Sequence, residues 1–458
     1  MSTQHRDLIG LPTKLDRIEG RSRRDPKTVF NNLGHVIDKD MLRSCFYDLD
    51  GSKAVGIDGV TKNQYEKNLE ANLDKLLLSI RRGSYHPKPS RIHEIPKTDG
   101  TMRPLAIACF EDKIVQEAVK QIVEKIYEPI FLACSHGFRP KRGCQTALVA
   151  LNRHLMDKDC GAVLEIDLRK YFNTIPHEPL IKMLKEKISD ERFLHLIIKL
   201  LKAPTLNEAG VPVRNEIGSP QGSILSPVIA NIYLHYALDL WFVQLNNHQY
   251  RERGAMVRYA DDAAFTFRSL VDAERFRQQL TERLSQFGIA IHEGKTKSLV
   301  SGPREARSYA ERGERMPTFT FLGFLHVWGQ SWNRKRGIMF WRVKRRTCPK
   351  RFRQKLAELK AYIKKNRHHK GLLVKIKSVV QGYVNYFAIN DNSRRVAQFI
   401  REVTHLLFKW LNRRSQRKSF NWKAFGAILK KIDFPKCPRL RNLFFTSKAA
   451  GLSPVVCR

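Results

Sequence analysis

The sequence predicts an α+β protein, and three observations predict it. Runs of β-branched, aromatic and small residues at 162–166 and 256–267 read as strands packed into a core. Other stretches repeat their apolar residues at helical spacing. Charge divides the chain near residue 330: between 331 and 440 there are 31 Lys and Arg against 4 Asp and Glu, whereas the remainder is nearer balance. The expected organisation is a helical N-terminal extension over 1–55, a mixed body over 56–330, a basic all-helical module over 331–435 and a short tail over 436–458.

Taken in order, the extension reads as one or two helices from Phe30, Leu33 and Ile37 onward. In "GAVLEIDLRKYFNTIPHEPL" the apolar run ends at Asp167, and the chain turns at Asn173, Thr174 and Pro176. After a loop made tight by Gly218, Pro220 and Gly222, "VIANIYLHYALD" reads as a helix beneath the sheet. The basic module shows three amphipathic helices. Phe352, Leu356, Leu359 and Ile363 carry the first, Leu372, Ile376, Val379, Tyr383 and Phe387 the second, and Val396, Ile400, Val403, Leu407 and Trp410 the third.

Composition narrows the partners. A chain of 458 residues, 42% hydrophobic, can bury a large core and divides into two or three domains. Its formal net charge of +39 carries a self-repulsion most simply explained by a polyanionic partner, nucleic acid ahead of a membrane surface. No run approaches the roughly 18 apolar residues of a membrane span, and "MSTQHRDLIG" lacks the apolar core of a signal peptide, so a soluble, cytoplasmic protein is expected. Eight cysteines form no C-x-x-C pair and are expected to be reduced thiols packed as small apolar groups.

The stretch "VRYADDAAFTF" places Asp261 beside Asp262. Successive side chains of a strand point to opposite faces, so a shared site requires the chain to reverse at the pair. Adjacent Asp residues also suit ordinary solvated turns. The apolar flanks, Met256, Val257, Tyr259, Ala263, Ala264, Phe265 and Phe267, argue for buried strands, whose carboxylates need a basic partner or a metal. Asp167, taken alone, fits a helix cap or a salt bridge equally well. Joined to the pair 94 residues later, it completes a hard-oxygen cluster of the kind that holds Mg²⁺, which keeps substrate phosphates in its shell. Two such ions serve in-line phosphoryl transfer.

At this point the chain resembles reverse transcriptases of the bacterial group II intron type. "GIDGV", "HEIPKTDGTMRPLAIACFEDKIVQEAV" and "SHGFRPKRGCQTAL" resemble the fingers blocks. "VLEIDLRKYFNTIPH", "GSPQGSILSPVIANIYLHYALD", "VRYADDAAF", "FGIAIHEGKTKSL" and "FTFLGF" resemble the palm blocks through residue 324. The segment 379–425 is similar to the thumb and maturase region of intron-encoded proteins. The resemblance implies a right-hand polymerase, with an antiparallel sheet flanked by helices and a helical thumb. It implies an RNA-directed DNA polymerase that copies intron RNA, assists its splicing and supports its mobility. Implied partners are intron RNA, a DNA primer or target, the RNA–cDNA duplex and deoxynucleoside triphosphates, with no membrane; the oligomeric state is left open.

Site roles follow from the same resemblance. Asp167, Asp261 and Asp262, with the Leu168 carbonyl, would bind two Mg²⁺. Lys97 and Arg103 would clamp the triphosphate, an arrangement suited to a point charge and a bidentate fork. Phe172 would lie beneath the sugar and exclude a 2′-hydroxyl, Tyr171 being the core residue of the two. Gln221 would meet the nucleotide and template base, and Lys295 the triphosphate. Tyr259, Ala260, Phe321, Leu322 and Gly323 would face primer and template, Gly323 letting the backbone approach the primer. Arg413, Arg414, Arg417 and Lys418 would grip RNA phosphates. His177 and Asp58 are expected to hold loops. The short tail is expected to carry no endonuclease, so a primer would come from elsewhere, such as nascent strands at a replication fork. A splicing cofactor with a vestigial polymerase, or a retron, diversity-generating or defence reverse transcriptase, are the competing expectations; the intact Asp167, Asp261, Asp262, Lys97, Arg103 and Gln221 disfavour the first and the maturase-like segment the second.

Overall fold

The computed structural model describes residues 13–96, 102–207, 209–250, 253–333, 337–413, 420–436 and 440–444. Its first layer is built on the helix Phe110–Tyr127, whose Ile114, Val115, Ala118, Val119, Ile122, Val123 and Ile126 are all fully buried. Burial round most of its circumference demands cover, Lys113, Glu117, Lys120 and Glu124 lining the part left half-buried. The helices Lys14–Arg24 and Lys39–Asp48 pack directly on it, and Leu69–Arg81 adds its apolar face to the same core. The expectation of a helix through Phe30, Leu33 and Ile37 is corrected, because the two helices lie on either side of that segment. There the backbone is committed elsewhere. Phe30 exchanges bonds with Lys187 and Ser189, and the N–H groups of Leu33 and Gly34 donate to Asp190 at 2.7 and 2.9 Å.

An exposed antiparallel hairpin, β1 (Arg91–Pro96) with β2 (Met102–Ile107), stands beside this layer. The central sheet is wholly antiparallel. It comprises β3 (Ala162–Asp167), β6 (Ala255–Tyr259), β7 (Asp262–Phe267) and β8 (Lys297–Val300), in the order β6-β7-β3-β8; β4 (Thr205–Leu206) and β5 (Pro212–Val213) form a separate small ribbon. Alternation sends its two faces to different cores. Ala162, Leu164, Ile166, Ala263, Phe265 and Phe267 join the core shared with the helix Leu270–Gln286, whose Phe276 ring lies 4.8 Å from that of Phe265. Val163, Val257 and Ala264 join a second core with the helix Cys144–Leu155 and the C-terminal helices.

That second core corrects the expected domain boundary. β9 (Phe319–Phe321), β10 (Phe324–Asn333) and β11 (Ile338–Thr347) form a three-stranded sheet that runs straight through residue 330, so 331–333 and 338–347 are strand and not helix. Charge changes at 330, but packing does not. Val343, Arg345 and Thr347 are buried at alternate positions, a strand period that the density of Lys and Arg conceals. Helices follow at Pro349–Lys365, Leu372–Phe387 and Ser393–Leu411, on the apolar spacing expected, and a fourth, Trp422–Lys431, was not anticipated.

The segment after the 218–222 loop is helical from Ser226 to His248, with a π turn at His235–Asp239. Among the described residues it is the one helix long and apolar enough to cross a membrane by length and composition, although polar residues interrupt its apolar run; 67% of its most apolar stretch is buried in the core. The π turn ends on Asp239, which is fully buried and faces the equally buried Arg258 of β6. Arg258 donates to both Asp239 carboxylate oxygens at 2.7 and 2.6 Å, to Asn231 Oδ1 at 3.0 Å, to the Ala260 carbonyl at 3.1 Å and to Ser135 Oγ at 2.9 Å. Removing one partner strands the other charge. Asp239→Leu is expected to cost about 3–5 kcal/mol, while Arg258→Met/Asp239→Leu regains much of it because no lone charge stays buried. Urea unfolding of the two variants checks this; equal stabilities would mean that the pair is not energetically coupled.

Candidate active site

Tyr259 pairs with Asp262 across β6 and β7, so the connecting turn consists of Ala260 and Asp261. The reversal is therefore one residue earlier than a turn centred on the two aspartates, and Asp262 already belongs to β7. Its register partner on β3 is Asp167. Cross-strand partners share a face, so Asp167 and Asp262 project together on the side of the second core, with Asp261 beside them at the tip. Ala260 has φ 58°, a strained value for a residue with a Cβ. The loop before it holds it there. A Cβ on Gly137 would lie 2.4 Å from the Ala260 nitrogen, and the backbone of Cys134 and His136 pairs with Arg258 at 2.8 Å on each side.

Electrostatics mark the tip as short of positive charge. Burial raises the Asp262 carboxyl to about 7, with the charges of Asp261 and Asp167 adding to the rise and Arg351 and Lys295 opposing it. Burial also raises Asp261, aided by Asp167 and opposed by its own backbone N–H, Arg103 and Lys295. Lys295 Nζ lies 2.6 Å from Asp167 Oδ2, an ammonium standing where a cation is wanted. Among the described residues no three His, Cys, Asp or Glu side chains are gathered closely enough to enclose a metal. Carboxylates that repel one another and draw in a lysine nevertheless fit a hard dication, and Mg²⁺ needs only one or two of them besides substrate phosphates.

The remaining predicted residues fall into two groups. Phe172 is half-buried in the one-turn helix Tyr171–Thr174, edge-on to Phe138 with ring centroids 6.3 Å apart, whereas Tyr171 is buried and donates to the Ala230 carbonyl at 2.6 Å. Gln221 Nε2 donates to Asn173 Oδ1 at 2.9 Å, and its carbonyl accepts from Ala106 N–H at 2.6 Å, tying this loop to β2, the strand that carries Arg103. Its Oε1 is buried without a partner. The bonds joining 167–169 to 290–292, His292 N–H to the Asp167 carbonyl and Arg169 N–H to the Ala290 carbonyl, do not use the Leu168 carbonyl. His177, the first residue of the helix His177–Lys185, bonds the Gly218 carbonyl at 2.6 Å, and Asp58 accepts from Val60 N–H at 3.2 Å within its loop. Lys97, Arg414, Arg417 and Lys418 lie outside the described residues; Arg413 is described and lies over the Trp410 ring at 5.5 Å.

Phe321 and Phe324 close a second two-residue turn, Leu322 and Gly323, both at positive φ as a type I′ hairpin requires. Leu322 accepts at its carbonyl from Tyr386 Oη at 2.9 Å. The space a Cβ on Gly323 would take is filled by the Arg351 guanidinium, 2.8 Å away, and its φ is 80°. Sequence reasoning missed Arg351, one cation among 31 in its region, and Glu165, which burial raises to about 7 on the same face as Asp167. It also missed the Arg258–Asp239 pair, although an arginine inside a buried strand was itself a signal that a carboxylate must be near.

The family description "Reverse transcriptase (RNA-dependent DNA polymerase)" matches residues 95–326. The chain is 38% identical over 235 residues to "Group II intron-encoded protein LtrA" of Lactococcus lactis subsp. cremoris, covering 50% of this chain and 38% of that protein. It is 34% identical over 242 residues to "Protein YkfC" of Escherichia coli (strain K12), covering 46% of this chain and 63% of that protein. It is also 29% identical over 171 residues to "Nuclear intron maturase 4, mitochondrial" of Arabidopsis thaliana, covering 37% and 21%. In each case less than two thirds of the relative is spanned.

The raised Asp262 sets a pH dependence. Its protonated form favours the fold, so the contribution is complete below the unfolded value of 3.8 and is lost as pH rises towards about 7. In metal-free buffer Asp262→Asn is therefore expected to gain in melting temperature over wild type between about pH 5 and about pH 8, and a divalent cation should narrow the gap. A gap that stays constant across that window in thermal melts would show that Asp262 is not held protonated.

Proposed function

Since the chain belongs to the reverse transcriptase (RNA-dependent DNA polymerase) family, we propose that it copies RNA into DNA, taking intron RNA as its template and aiding the splicing of that RNA. Enzymes of this family use divalent metal ions; here Asp167, Asp261 and Asp262, with the Leu168 carbonyl, would hold two Mg²⁺. When bound, such ions stabilise the attacking and leaving oxygens of an in-line phosphoryl transfer. The observation that carries the reading is the Asp167–Asp262 register, which aims two carboxylates from neighbouring strands at the tip occupied by Asp261.

The chain's own residues do the positioning. Arg103, whose charge already reaches Asp261, engages the triphosphate with Lys97 as a planar fork beside a point charge. Lys295 exchanges Asp167 for a phosphate oxygen when substrate and cation enter. Phe172, held edge-on by Phe138, offers a ring to the sugar, and a 2′-hydroxyl would collide with it. Gln221, steadied by Asn173, meets the base pair being formed. The Leu322–Gly323 turn, tied to Tyr386, fixes the primer end. The intron assignment is supported by the similarity to LtrA and by the net positive module after residue 330.

Asp261→Asn is expected to abolish DNA synthesis on an RNA template with a DNA primer while leaving RNA binding near wild type. Retention of a tenth or more of the extension rate, roughly a loss of less than 1.4 kcal/mol in barrier terms, would remove Asp261 from the chemistry. Phe172→Val is expected to raise ribonucleotide incorporation far more than it changes deoxynucleotide incorporation. Single-nucleotide extension assays decide; unchanged sugar discrimination would assign Phe172 to packing.

A further inference from the structure

We propose that the outer face of β11, together with the start of the helix Ser393–Leu411, forms a phosphate-binding cradle for the backbone of bound RNA, apart from the carboxylate site. The cradle is a cavity of about 460 Å³ whose charged lining is Arg342, Lys344, Arg346, Arg394, Arg395 and Asp391. Alternation along β11 builds it. Val343, Arg345 and Thr347 are buried against the protein, so Arg342, Lys344 and Arg346 face the other way. Opposite them on β10 stand Gly329, Val327 and Leu325, which contribute no competing charge.

The charges do not cancel within the cavity. Asp391 is spent on Arg342, which it holds through both carboxylate oxygens, and Arg342 also donates to Ser331 Oγ at 2.7 Å. Arg346 and Arg394 have no carboxylate partner among the described residues, Lys344 bonds only the Gln330 carbonyl at 2.6 Å, and Arg395 bonds Gln398 at 3.0 Å. Burial and the neighbouring Arg342 push the Lys344 ammonium down from its ordinary value, the response of a cation in a site that lacks an anion. The helix start adds to the field. Asn392 precedes it, but its side chain donates to Thr347 and Phe387 and accepts from Thr347 N–H, and so does not cap the helix. The first N–H groups of a 19-residue helix are thereby left to an outside acceptor. A phosphodiester supplies that acceptor and the missing negative charge together, and donors that ignore base identity suit backbone contact.

The assignment of the polymer as RNA rests on the function proposed above, and the test separates the two. The variant Lys344→Gln/Arg346→Gln/Arg394→Gln leaves the Arg342–Asp391 pair and every residue of the carboxylate site untouched. Filter binding of a labelled structured RNA across a KCl series is expected to show at least a tenfold loss of affinity, with the log K against log salt slope reduced by roughly two units. Single-turnover extension of a short, prebound primer–template should stay within about twofold of wild type, since its contacts lie elsewhere. Lys344→Arg/Arg346→Lys/Arg394→Lys, which keeps the charge, should retain the slope and controls for folding. Wild-type affinity and slope in the Gln variant overturn the cradle. If inorganic phosphate stabilises wild type and not the variant while RNA affinity is unchanged, the site takes a small anion and the RNA assignment fails. Wild-type protein that binds RNA with the steep slope but extends no primer would sink the polymerase reading and leave the cradle standing.

Discussion

The buried guanidinium of Arg258 is the constraint on which the candidate site depends. A charge on the inner face of β6 has no water, and the effective penalty for burying it is several kcal/mol unless its donors are matched. They are matched from four directions: Asp239 and Asn231 on the long helix, Ser135 on the preceding loop and the Ala260 carbonyl in the turn itself. Moving the turn would break the last of these bonds and leave a donor of a buried cation unsatisfied. The position of Asp261 is thus set by helix and loop residues that never reach the reacting centre. The π turn that ends on Asp239 belongs to the same arrangement, an irregularity placed where a side chain must meet a fixed partner.

The turn so fixed is electrostatically unfavourable by itself. Asp261 and Asp262 are pushed above the ordinary carboxylate range, and Glu165 on the same face follows them. Lys295, Arg103 and Arg351 come from three separate parts of the chain and offset only part of this. Arg351 is the informative one, since it stands on the helix Pro349–Lys365 and also fills the space beside Gly323. One guanidinium therefore links the carboxylate tip to the Leu322–Gly323 hairpin. A displacement of that helix would change both the field at Asp262 and the geometry of the hairpin. The position of the C-terminal helices is in this way coupled to the charge balance of the site.

Much of this was legible from residues and some was not. The strand ending at Asp167, the apolar flanks of Asp261 and Asp262 and the helical faces led by Phe352, Ile376 and Val403 are local patterns, and local patterns survive folding. The pairing of Asp167 with Asp262 is long-range, and no spacing rule fixes a register between strands so far apart. Residues 338–347 were misread because charge and packing carry different information. A strand with one solvated face can be as basic as a helix, and in β11 Arg345 is buried while Arg346 is exposed. The helix expected from Phe30 failed for the opposite reason: its apolar residues are buried as expected, but Asp190 and the backbone at 187–189 take its hydrogen bonds.

The same distinction bears on how a basic C-terminal segment can also be part of the core. The second core is continuous from Val163 and Ala264 in the central sheet, through the helix Cys144–Leu155, to Ile376, Phe399 and Leu407. Apolar contact of that extent makes the helical part a rigid extension of the sheet and not a module tethered to it. Its outer surfaces are then free to vary in charge at little cost to the fold, because solvated cations contribute little to stability. A polyanion held there, as proposed above, would load the shared core before it reached Arg351. A segment can hold 31 Lys and Arg, with Arg345 buried and Arg351 at the tip among them, and keep the carboxylate tip in place when the outer cations and the tip are joined through apolar packing, which is not a charge interaction that salt screens.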